Sequence, residues 1–61
     1  MPQPDYGIYR IFPNSTSVWL ENAYDLQAAR TRATELSRKS VGQIAVYDLR
    51  NPERAVFEMK Q

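Results

Sequence analysis

The sequence contains no cysteine and no histidine. The first absence excludes disulfides and thiolate metal sites. The second removes the commonest zinc ligand and the usual general base near neutral pH. Without histidine no Ser-His-Asp arrangement can be built. Glycine stands only at Gly7 and Gly42, too sparsely for a phosphate-cradling loop. No run approaches the ~20 apolar residues of a membrane span. Met1-Pro2-Gln3-Pro4-Asp5 has neither the basic region nor the apolar run of a secretory signal. The expectation is a cytoplasmic protein with no membrane partner. A charge excess is missing too: 8 Lys+Arg stand against 7 Asp+Glu, net +1. Nucleic-acid-binding domains carry a basic face, so this balance lends that function no support.

What is present is a chain of 61 residues with 43% hydrophobic content. That suits one folded domain and argues against disorder. A chain this short buries only ~60% of the surface it exposes when unfolded. Small domains recover stability through disulfides, metals or oligomerisation. The first route is closed and the second lacks its usual ligands, so oligomerisation remains, together with good packing.

Residues 1–5 read as a short flexible lead and 6–61 as a single domain. Tyr6 to Phe12 is rich in aromatic and β-branched residues and reads as a strand. Pro13-Asn14-Ser15-Thr16 is turn chemistry. It also fits the glycosylation sequon, but with no secretion signal it reads as a polar turn. Ser17 to Glu21 forms a second strand, joined to the first as an antiparallel hairpin. Asp25 is a good N-cap for a helix from Leu26 to about Ser40. Leu26, Ala29, Ala33 and Leu36 form its apolar stripe. Arg38 and Lys39 suit the negative end of its dipole, and Gly42 is the natural left-handed stop. Gln43 to Leu49 and Ala55 to Met59 read as strands either side of a turn at Arg50-Asn51-Pro52-Glu53. The expected fold is α+β: ββαββ, a four-stranded antiparallel sheet with one helix on one face.

One helix covers one face of such a sheet. Tyr9, Ile11, Trp19, Tyr47, Phe57 and Met59 have the bulk to fill that layer above a small alanine stripe. The other face then carries Ile8, Phe12, Val18, Leu20, Ile44, Val46 and Val56, relieved only by Arg10, Asp48 and Glu58. That is too apolar for a face left in water. The two faces can be exchanged without changing the conclusion, since both are apolar and the chain has one helix. These seven residues are the expected interface of a homodimer, formed sheet to sheet or through a shared edge.

Arg30, Arg32, Arg38 and Lys39 cluster in sequence but not in one stripe at ~100° per residue. Arg32 and Lys39 share a side, and Glu35 is placed to pair with its neighbours. They read as a solvated face; the alternative is phosphate contact by Arg32 and Lys39 in a nucleic-acid-associated regulator. Trp19, Tyr6, Tyr9 and Tyr24 read as core, with a stacking platform for bases or a peptide as the alternative. The carboxylates are dispersed, and Asp25 and Asp48 have structural roles. No catalytic residue, cofactor site or metal site is expected, and the chain reads as a non-enzyme.

Val18-Trp19-Leu20, Asp25-Leu26-Gln27-Ala28-Ala29-Arg30, Leu36, Val46-Tyr47-Asp48 and Val56-Phe57 together resemble small uncharacterised bacterial proteins. These have a tryptophan strand, a capped helix and a Tyr-x-Val-Phe/Tyr-Asp strand. The resemblance spans about Tyr9 to Phe57, with Ile44 where those proteins often carry an aromatic. It implies a ββαββ fold and no particular activity. The opening strand-strand-helix is also similar to antitoxins of the HicB kind, although their glycine-rich and proline-rich strand signatures are absent. The expected function is a non-enzymatic interaction domain, homodimeric, with an unidentified protein partner as a further expectation.

Overall fold

A computed structural model describes residues 3–39 and 42–60. The order is β1 (Tyr6–Ile11), β2 (Ser17–Ala23), α1 (Leu26–Lys39), β3 (Gln43–Asp48) and β4 (Ala55–Met59). All strand pairs are antiparallel, in the spatial order β2-β1-β3-β4. The fold is the expected α+β ββαββ arrangement. Strand ends differ by a residue or two from the sequence reading, and Ser40, the expected end of the helix, lies outside the described residues. Among the described residues no helix is long and apolar enough to cross a membrane.

Local chemistry sets the boundaries. The β1–β2 turn closes with Phe12 N–H donating to the Thr16 carbonyl at 2.8 Å, and Asn14 Oδ1 accepts from Thr16 N–H at 3.0 Å. The sequon is thus a side-chain-supported turn. Asp25 caps α1: its Oδ1 accepts from Ala28 N–H at 2.8 Å, satisfying one of the helix's free first-turn donors. Past the helix end, Gly42 adopts φ +108°. That region is costly for residues with a Cβ, which is why glycine serves there.

The register decides the faces. Residues paired across a ladder point the same way, so Glu21, Ile8, Val46 and Phe57 form one row across the sheet. Val18, Arg10, Ile44 and Met59 form the next row on that face. This is the helix-covered face. Ile8, Ile44 and Val46 are fully buried against Ala29 and Ala33, with Tyr6, Leu20, Leu36, Phe57 and Met59 packed around them.

The expected face assignment is therefore reversed. Ile8, Ile44 and Val46, proposed as dimer interface, are the core beneath α1, and Leu20 packs against that core. Val18 lies on the same face and is exposed. Phe12, in the turn, and Val56 are also exposed. An alanine stripe brings the helix backbone close to the sheet, so β-branched aliphatics fill the centre beneath it and the Tyr6 and Phe57 rings pack around them. Phe57 and Met59, expected beside Tyr9, instead share the helix face, because the β3–β4 register shifts between Val46 and Tyr47.

Candidate functional site

The face away from the helix carries the functional candidates. Tyr9 is the neighbour of Trp19 on one side and of Ala45 on the other. Gly7 pairs likewise with Asn22 and Tyr47. These residues form two adjacent rows on one face, dominated by three aromatic rings. Tyr9 and Tyr47 meet edge to face, with centroids 5.6 Å apart and planes at 90°. This is the favoured arrangement of two ring quadrupoles. Tyr9, Tyr47, Leu49 and Pro52 line a shallow depression with Ser17 at its rim.

Gly7 shapes the floor. A Cβ there would lie 2.9 Å from Tyr9 Cε1 and 3.1 Å from Leu49 Cδ2. Both side chains therefore lean over the glycine, and the absence of a side chain is what admits them. Ala45 is fully buried although it lies on this face and outside the helix-side core. The rings thus cover the centre of the sheet, while Trp19 itself remains 54% exposed. The indole is held by its tip, Nε1 donating to Asn22 Oδ1 at 2.8 Å.

The polar margin lies at the far end of the face. Gln43 Nε2 donates to Glu58 Oε2 at 2.7 Å across β3 and β4. At the β3–β4 turn, Asp48 Oδ1 accepts from both the backbone N–H and the Nε–H of Arg50, at 2.9 and 3.2 Å. The Arg50 side-chain hydrogen bond, then its backbone N–H, holds the Asp48 carboxyl below its ordinary pKa. Asp25, Asp48 and Glu58 are thus engaged in a cap, a turn and a ladder, and among the described residues no three such groups come together to hold a metal ion.

The helix arginines divide. Arg32 Nε donates to Glu21 Oε1 at 2.6 Å, clamping α1 onto β2, and Glu35 approaches at 4.0 Å. The hydrogen bond to Glu21, then its charge, raises the Arg32 pKa. Arg32 is therefore committed to carboxylates, while Lys39 is exposed in the last turn. Arg30 instead stacks on the Phe57 ring, its guanidinium carbon 5.1 Å from the centroid.

Sequence reasoning grouped Tyr9, Ile11, Trp19 and Tyr47 correctly on one face but placed that face under the helix. The signal available was the alanine stripe, whose small residues favour close approach over bulk. The Arg32–Glu21 pair, between residues far apart in sequence, had no sequence signal. No family model, curated protein or solved structure matches the chain. The chain has the ββαββ order that the likeness implied, and no comparison supports a likeness to any bacterial group.

Proposed function

We propose that this chain is a non-enzymatic interaction domain whose working surface is the open face of the sheet, and that two copies pair across it. The observation that carries the reading is the exposed Trp19 beside the Tyr9–Tyr47 pair, continuous with Leu49 and Pro52. Trp and Tyr are the residues most enriched at interface centres, where they add large rigid contact area. The core supports the same reading: its largest fully buried side chains are Ile8, Ile44 and Val46, and the rest is mainly alanine. A core so small leaves a domain of this size marginal on its own. A second copy laid on the open face would shelter the ring layer and leave Glu58 and Gln43 at the wet margin, where a carboxylate needs no buried partner.

Light scattering during size exclusion at micromolar concentration tests the reading. The expected mass is twice the 7.1 kDa of the chain. Trp19→Lys is expected to return a folded monomer. A native protein that elutes as a monomer throughout removes the pairing. Retardation of nucleic acid at low salt, where phosphate contacts are strongest, would move the working surface to the helix.

A further inference from the structure

On the β2 side of the sheet, the row Glu21-Ile8-Val46-Phe57 ends in a carboxylate that reaches up to Arg32 of the helix. On the β4 side, the same row ends in Phe57, and the helix again holds an arginine above it, Arg30. The two ends are built alike except that Arg30 has no ion-pair partner among the described residues. Its guanidinium carbon lies 5.1 Å from the centre of the Phe57 ring. Stacking of this kind fixes the group without using its hydrogen bonds.

Arg30 lies in a groove between α1 and β4, lined with Leu26, Gln27, Thr31, Thr34 and Phe57. β4 is the last strand of the described sheet, and beyond its register shift Phe57, Glu58 and Met59 continue regularly. We infer that this groove binds an extended acidic segment of a partner protein. The segment adds as a fifth strand along Phe57–Met59, and its carboxylate meets Arg30 as Glu21 meets Arg32. A strand added to β4 lies ~4.8 Å beyond it, so the next residue in the Phe57 row falls beside the guanidinium. An apolar neighbour on the same face rests against the half-exposed Leu26 and Phe57. The main chain supplies adhesion and Arg30 the preference for an acid. Only a short regular edge is available, so the binding is weak and transient. The groove is on the helix side, and pairing through the open face leaves it free.

The test uses the full chain, 15N-labelled, and two short capped peptides of alternating valine and threonine, one with a central glutamate and one with glutamine there. The glutamate peptide is expected to shift the amide signals of Phe57 to Met59 and the Arg30 Nε–H signal. The glutamine peptide, or Arg30→Gln protein, is expected to bind roughly fivefold more weakly, the scale of one partly exposed ion pair. Arg30→Lys keeps the charge but loses the planar stack and is expected to fall between. Arg38→Gln serves as the folded control and is expected to bind like the native chain. Equal binding of the two peptides, shifts confined to β1, β2 or the open face, or no shift at millimolar peptide would each overturn the inference.

Discussion

The indole N–H of Trp19 donates to the side-chain oxygen of Asn22, 2.8 Å away on the same face of the sheet. Residues three apart in a regular strand face opposite ways. These two share a face because the β1–β2 register shifts between Ile8 and Tyr9, leaving Leu20 as the extra residue of β2. The bulge therefore creates the contact that orients the most exposed aromatic of the open face. Asn22→Ala is expected to cost less than ~1 kcal/mol of stability, since the bond is solvent-exposed. Its larger effect is on the indole: tryptophan fluorescence should show a changed environment, and the association constant of the proposed pair should fall.

The reversed faces make a sharp contrast between two aliphatic residues that flank Arg10 in one row on the helix side. Ile44 is fully buried, whereas Val18 is 45% exposed. Ile44→Ala is expected to cost ~2–5 kcal/mol. A 61-residue domain holds only ~3–9 kcal/mol in total, so this variant should lose about half of its stability. Val18→Ala should stay within ~0.5 kcal/mol of the native chain. Urea denaturation followed by circular dichroism separates them; similar losses for the two would contradict the face assignment.

Gly7→Ala sets two effects against each other. Alanine suits a strand better than glycine by ~0.5–1 kcal/mol. The new methyl meets Tyr9 at 2.9 Å and Leu49 at 3.1 Å, and crowding of this kind costs ~1–3 kcal/mol. Two side chains must move, so crowding is expected to win by about 1 kcal/mol, with weaker pairing of two copies because the ring layer is displaced. A variant more stable than native in thermal melting would show that Tyr9 and Leu49 swing aside freely.

Acid sensitivity is expected to pass through Asp48. Its carboxyl is held below the ordinary value of 3.8 by the Arg50 side chain and backbone N–H. A lowered folded-state pKa means stability that is present above the unfolded value and lost as pH falls through the folded one. Native protein should therefore lose urea resistance below about pH 4, and Asp48→Asn should lose less over the same range. Identical acid limbs for the two proteins would remove Asp48 from that role.

The order of elements was legible in the residues themselves. Alternation marked Tyr6 to Phe12 and Gln43 to Leu49 as strands, each one residue too long, Asp25 opened the helix, and Gly42 followed its end. These signals are local: a side-chain period, a cap, a left-handed turn. The two-sided apolar character of the sheet was legible for the same reason, and it correctly placed Tyr9, Trp19 and Tyr47 together.

Which face lies under the helix was decided by tertiary structure. Two faces of comparable hydrophobicity competed for one helix, and composition cannot separate them. Packing depth can: Ala29 and Ala33 bring the helix close enough to seal Ile8, Ile44 and Val46, while the Tyr6 and Phe57 rings pack around that core. Register was equally beyond sequence. One extra residue in β2 and another in β4 move Trp19 beside Asn22 and Phe57 beneath Arg30. Such shifts depend on which strands meet, and a strand read alone carries its alternation but not its partner.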